Sequence, residues 1–486
     1  MPQPKWWPYI PILAVLVVFG RVVTFPFVDW DDAKFLLSNP LIAGGEVNMI
    51  DYLFTPQLTY VVPVLVVLER LLYVVGGGSA WLFHLAVLLL HASNAFLVGR
   101  LAKRLGAGPR ASVVAALCWA CHPIVAEPVS WATGFKDVLA LSLSLGCILA
   151  YLDGSARRVL LFGTLAFFSK PTTVLLPAAL FFLEPRRKIP LIGLSAVAGI
   201  AAVVSLVART TLLESQSGAK LDRINPLIIL TEQVENYLAP IALHPSYTVN
   251  DASYWSLGIG LLLTAVVAWL GWRMRGGIRF ALLFAVAAYL PSSQLVPFPR
   301  TMADSYLYAP SAGLCLFLAL VPWPRRKDVL RIAGAVVVVF GLLAARQSGR
   351  WRSNEDLWLP LIQDEPGWAY PCILLAQGYR MEGRSKDVVR LYEQAFARQD
   401  AKPYLSAFGE ALHLAGQLAE AQCVFEEDVL YGINRDRARR NLVHFSKFQG
   451  VANPELAPST LQPRPPKTCA SLRRPIERIR LTQTGK

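Results

Sequence analysis

Charge is scarce in this chain. Only 16% of its 486 residues are Asp, Glu, Lys or Arg, against about 25% in a soluble domain. Apolar residues take the vacated share: 54% are hydrophobic and the mean hydropathy is +0.43. They fall in blocks, such as 10–19, 81–90 and 333–344, that approach or form the roughly 20-residue stretch needed to cross a bilayer. A large soluble protein is thereby excluded. Cysteine is sparse as well, at seven residues, an odd count that implies no disulfide framework. Cys118 and Cys121 have redox-motif spacing, but they lie in an apolar segment with no second ligand pair and are expected to pack as small buried groups. No zinc, P-loop or dinucleotide fingerprint occurs, nor any nucleic-acid motif. The net charge of +14 is therefore assigned to cytoplasmic loops and anionic lipid rather than to nucleic acid.

The distribution of Lys and Arg predicts a topology. Residues 9–28 are expected to form a signal anchor, because the stretch is long and carries no small-residue cleavage site. Only Lys5 precedes it, and Asp29, Asp31 and Asp32 follow it. The next span, 79–99, ends in Arg100, Lys103, Arg104 and Arg110, which places that loop inside and the acidic loop outside. Alternation continues through segments at 111–126, 137–152, 158–168, 172–184, 189–208, 255–272, 280–297, 306–321 and 328–345. The expectation is an all-α, polytopic membrane domain over 1–350 with about 11 spans and a cytoplasmic N-terminus. Residues 61–75, with Glu69 and Arg70, and 226–243, with Glu232, Glu235 and Pro240, fit as interfacial or re-entrant helices on the outer face.

From about Trp351 the composition turns polar. Ala376, Tyr379, Gly383, Val388, Tyr392 and Ala395 recur 33 residues later as Gly409, Leu412, Gly416, Ala421, Phe425 and Asp428. Small residues alternating with aromatics at this period resemble tetratricopeptide repeats. Two helical hairpins over 351–450 are expected, with a capping helix near 434–448. Such a domain serves as a packing module or as a groove for a protein partner. The Pro- and Arg-rich tail from 451 to 486 has the composition of a disordered segment.

Ionisable residues at membrane depth or on membrane-facing loops are functional candidates. Here they cluster on the outer side. Asp31 and Asp32 follow the first span. His122, Glu127, Trp131, Lys136 and Asp137 mark a second outer loop, Lys170 a third, and Arg300, Asp304 and Tyr306 a late one. A carboxylate placed so can deprotonate a hydroxyl, and cations aimed at one cavity suit a phosphate. Asp29 and Asp31 alone are too short a pattern for a metal site. No cofactor is implied and a divalent metal is not indicated. His84 and His91 lie seven apart on one helix face, where polar side chains bridge membrane helices.

In this order the pieces resemble a known family. They are Asp31-Asp32 with Ser38-Asn39-Pro40, Tyr60 with Pro63, Phe83-His84-Leu85 with Leu89-Leu90-His91-Ala92, His122-Pro123-Ile124 with Glu127, Trp131, Lys136 and Asp137, Ser169-Lys170-Pro171, and Ala303-Asp304 with Tyr306-Leu307-Tyr308. The family is the polyprenyl-phosphate-sugar-dependent glycosyltransferases of the C-type (GT-C-like) fold, nearest the transmembrane and tetratricopeptide-repeat O-mannosyltransferases and their bacterial relatives. The resemblance implies transfer of a sugar, mannose among the candidates, from a polyprenyl-phosphate donor to protein hydroxyls on the outer face. Asp31 would be the base, with Asp32 second, and Lys170, Lys136 and Arg300 would hold the donor phosphate. His122, Glu127, Trp131, Asp304 and Tyr306 would line the substrate cavity. The family's late loop reads Ala-Asp-Arg-Tyr, and Ser305 replaces that Arg here. This substitution leaves open a non-catalytic membrane scaffold that presents the repeats to protein partners. A transporter fits less well, since no duplicated halves are visible. Cysteine usage and compact loops suggest a bacterial inner membrane with the repeats in the periplasm.

Overall fold

The computed structural model describes residues 6–45, 47–57, 60–183, 188–215, 225–249, 254–296, 300–323, 326–398, 404–431 and 439–441. The anticipated tail, most of the capping helix and the Arg186-Arg187 pair lie outside them. Among the described residues the chain is all-α, with one isolated β-bridge between Gln57 and Tyr60. It divides into two units: residues 1–27 with 31–352, and residues 28–30 with 353–486.

In the first unit, six helical stretches are long and apolar enough to cross a membrane: Trp7–Thr24, Ala80–Arg104, Ala132–Leu152, Pro190–Ala208, Tyr254–Arg273 and Lys327–Arg352. A seventh is the bent pair Pro109–Ala120 and Pro123–Ser130. Shorter apolar helices occupy Pro171–Phe181 and Gly276–Ser292. Ala156–Phe167 and Tyr308–Leu320, where the charge pattern also implies spans, are helical too. Leu13, Val17, Ile200, Val203, Leu262, Trp272, Val338 and Leu342 stay exposed. Such an apolar surface suits lipid rather than water.

Ala80–Arg104 is central. Phe83, Val87, His91, Asn94, Val98 and Leu101 recur every three or four residues and are buried, so they line one helix face. Polar atoms tie its neighbours to it. His91 Nδ1 lies 2.8 Å from the Tyr308 hydroxyl and Nε2 lies 3.1 Å from the Ala120 carbonyl. Asn94 Nδ2 donates to the Val138 carbonyl (3.0 Å), and Trp119 Nε1 donates to the Tyr308 carbonyl (3.1 Å). Interhelical hydrogen bonds of this type set register where no hydrophobic drive separates protein from lipid.

The bend after Ala120 has a local cause. Pro123 lacks an N–H and cannot continue a helix. His122 takes an extended backbone and its Nδ1 accepts from Ile124 N (3.1 Å), capping a new turn at 53° to the last. Further on, a Cβ at Gly134 would collide with the Pro128 carbonyl oxygen. Only glycine lets the chain fold back so tightly and start the helix Phe135–Leu152 beside the bend.

The second unit is a stack of helices: Asn354–Asp364, Tyr370–Met381, Ser385–Arg398, Leu405–Leu414 and Leu418–Tyr431. Two hairpins turn at Gly383 (φ +74°) and Gly416 (φ +77°), 33 residues apart. Glycine adopts that left-handed conformation without steric cost. Gly409 replaces Ala376 of the first hairpin because a Cβ there would sit 2.6 Å from the Phe425 ring. Tyr392 and Phe425 are both buried. Replacing either with Ala is expected to cost about 3–5 kcal/mol, read as a lower denaturation midpoint of this unit. A cost under about 1 kcal/mol would show that the aromatics are not core. Residues 28–30 belong here as well. Trp30 meets Trp358 edge-on at 5.2 Å, and Asp29 N donates to Asn354 Oδ1 (2.7 Å).

Candidate functional site

One cavity of the first unit gathers residues from five separate stretches. It holds about 970 Å³ of space, counting its mouth. Asp31 and Phe35 come from the turn after the first helix, and Gln57, Tyr60 and Glu69 from the bridge and the helix Pro63–Val75. Trp131, Thr133, Lys136 and Asp137 follow the bend, Ser169–Thr172 form the third turn, and Arg300, Ser305 and Tyr306 belong to the late turn. A second cavity, about 550 Å³ counting its opening, adjoins it. The two share Asp137, Lys170, Thr172, Ser305 and Tyr306, and the second runs on past the apolar Leu141, Leu176, Phe284 and Ala287.

Seven of the residues singled out in the sequence thus border one space: Asp31, Trp131, Lys136, Asp137, Lys170, Arg300 and Tyr306. The other four are buried outside its lining. Asp32 is fully buried and accepts from Thr133 N (3.0 Å) and Thr133 Oγ1 (2.5 Å), pinning the acidic turn to the Gly134 corner. His122 stacks on Tyr237 at 4.4 Å between centroids. Asp304 accepts from the Tyr247 hydroxyl at 2.6 Å. Burial, and then the negative charge of Glu127, push the Asp304 carboxyl well above the ordinary carboxylate range, while the Tyr247 bond pulls the other way.

Glu127 holds Arg300. The guanidinium donates through two nitrogens to the two carboxylate oxygens at 2.8 and 3.1 Å, and also to the Pro245 carbonyl. The Arg300 carbonyl accepts from Gln294 Nε2 (3.0 Å) and from the Tyr306 hydroxyl (3.0 Å). Gln294 keeps φ at +67°, an uncommon value outside glycine, and its side chain is committed to this turn. Lys170 Nζ donates to Asp137 Oδ1. Two of the three cations are therefore matched by carboxylates. Lys136 instead lies over the Trp131 ring, 4.5 Å from its centroid, a cation–π contact. Among the described residues no carboxylate forms an ion pair with it, and its charge acts on the Glu69 carboxyl only at longer range. The Asp31 carboxylate, half-buried, has no hydrogen bond or ion pair among the described residues. The same residues contain no group of three His, Cys, Asp or Glu placed to hold a metal.

Sequence reasoning passed over Glu69 as a cavity residue. In the sequence it marked residues 61–75 as non-spanning; in the structure it is 4% exposed and borders the cavity. Burial lifts its carboxyl to about 8, with Lys136 drawing it down and Asp32 pushing it up.

Fold and cavity together define an all-α membrane protein with a pocket of mixed charge at the turns between its helices. Comparison with curated proteins gives this class a direction. The chain is 26% identical over 395 residues to the protein O-mannosyl-transferase TMTC4 of Mus musculus, covering 61% of this chain and 52% of that protein. It is 35% identical over 133 residues to the protein O-mannosyl-transferase Tmtc2 of Drosophila melanogaster, covering 25% and 14%. To the protein O-mannosyl-transferase TMTC2 of Mus musculus it is 35% identical over 89 residues, covering 18% and 11%. The chain thus spans about half the length of the first of these relatives and less than a sixth of the other two. No family model matches it. No solved structure matches it significantly.

Proposed function

We propose that the chain is a membrane glycosyltransferase that moves a sugar, with mannose the first candidate, from a polyprenyl-phosphate donor to protein hydroxyls. The reaction would take place on the outer face of a bacterial inner membrane, with the helical repeats in the periplasm. One observation carries the reading: Asp31 and Lys136, neither of them in an ion pair among the described residues, border the same cavity. In the reaction the acceptor hydroxyl gives its proton to Asp31 as its oxygen attacks the anomeric carbon. The bond from that carbon to the phosphate oxygen breaks, and the electron pair leaves with polyprenyl phosphate. The leaving group is already anionic and needs cations rather than an acid. Lys136 supplies that charge first, because Lys170 and Arg300 are already matched. The names of the curated relatives, protein O-mannosyl-transferases, support the transfer of mannose to protein.

Transfer of labelled mannose from mannosyl-phosphoryl-polyprenol to a Ser/Thr-rich peptide tests this. Lys136→Ala is expected to raise the KM for the lipid donor about tenfold, the scale of one charge-assisted contact, with the KM for peptide little changed. A Lys136→Ala protein with unaltered donor KM would remove the phosphate assignment. Ser305, standing where the family pattern has Arg, favours a second reading, a non-catalytic scaffold for protein partners. Absence of transfer by the wild-type protein from any polyprenyl-phosphate sugar would select it.

A further inference from the structure

Glu69 lies on the inward face of Pro63–Val75 with the buried Leu65 and Val66, while Val67, Leu71 and Val74 face outward. An inward position on an amphipathic helix is ordinarily apolar. A carboxyl there is costly unless hydrogen-bonded. Yet among the described residues no hydrogen bond or ion pair reaches the Glu69 carboxyl. The neighbouring cation on the same helix is turned to other work, since Arg70 donates to the Ile42 carbonyl at 2.6 Å. What Glu69 does border is the cavity that contains Asp31 and Lys136. Its missing partners must then come from the cavity's occupant. That occupant needs hydrogen-bonding groups rather than positive charge, because burial raises the Glu69 carboxyl to about 8 and favours its neutral form.

We infer that Glu69 is a sugar-recognition residue, whose two carboxyl oxygens take adjacent hydroxyls of the hexose carried by the donor lipid. The inference rests on the glycosyltransferase reading and deepens it. It separates two tasks within one cavity. Lys136 binds the phosphate common to all such lipids, and Glu69 recognises the sugar that distinguishes them. A pair of hydroxyls matches the fixed spacing of a carboxyl group, whereas bare polyprenyl phosphate offers it nothing. Glu69 takes no part in bond making, so its loss appears in donor binding before it appears in turnover.

The test compares two ligands on the full chain in lipid nanodiscs: mannosyl-phosphoryl-polyprenol and bare polyprenyl phosphate. Glu69→Leu fills the same inward position with an apolar group of similar size and keeps the helix face intact. It is expected to weaken the mannosyl lipid about tenfold or more, as loss of two hydrogen bonds does, and to leave the bare lipid unchanged. Glu69→Gln, which keeps an acceptor, is expected to recover part of the loss. Equal weakening of both lipids by Glu69→Leu would make Glu69 a structural residue and overturn the inference, as would unchanged binding of both. In either case wild-type binding of the mannosyl lipid leaves the transferase reading standing. If the wild-type protein binds neither lipid, both readings fail together.

Discussion

Asp31→Asn is expected to leave the protein folded and to lower sugar transfer by about 100-fold or more, the scale of a lost general base. An acceptor hydroxyl has a high pKa, so displacement of the donor phosphate needs a base at the attacking oxygen. Asp31 borders the cavity and has no hydrogen bond or ion pair among the described residues. Its carboxylate is therefore available for a proton, and the Asn variant breaks no hydrogen bond or ion pair among the described residues. Asp32 makes the contrast. It is fully buried and accepts twice from Thr133, so changing it would loosen the turn itself. The measurement is single-turnover transfer from mannosyl-phosphoryl-polyprenol, with the melting temperature of each variant as control. Full transfer by Asp31→Asn would remove the base assignment.

Arg300→Ala is expected to destabilise the membrane unit by about 3–5 kcal/mol, because it strands the carboxylate of Glu127. Glu127 is 2% exposed and its two oxygens are held by Arg300. Any fall in transfer by this variant would then report unfolding, not phosphate binding. A paired change separates the two. Arg300→Met with Glu127→Leu removes both charges, and such apolar replacements of a buried pair are often neutral. Thermal denaturation in detergent should show the double variant recovering most of the loss. If Arg300→Ala keeps the wild-type melting temperature yet raises the KM for the lipid donor, the guanidinium binds the phosphate after all.

These outcomes mark where sequence reasoning could and could not reach. Helices were legible because their signals are local. Apolar runs and the Lys and Arg clusters between them act within a few residues of where they stand. The 33-residue recurrence was legible for the same reason, since Gly383 and Gly416 each make a turn that only nearby residues shape. The joining of Val28–Trp30 to the second unit gave no such signal, because Trp30 finds Trp358 and Tyr370 more than 300 residues away.

The chemistry of the cavity divides along the same line. From the sequence alone came an all-α membrane chain with acids and cations gathered at its turns, since hydropathy and charge distribution depend only on residue order. Which charges are spent and which remain available is a tertiary matter. Electrostatic pairing falls steeply with distance and ignores chain separation. Arg300 meets Glu127 across 173 residues and Lys170 meets Asp137 across 33. Lys136, Asp31 and Glu69 are left at the cavity without an ion pair among the described residues, and only the packing of the helices decided that.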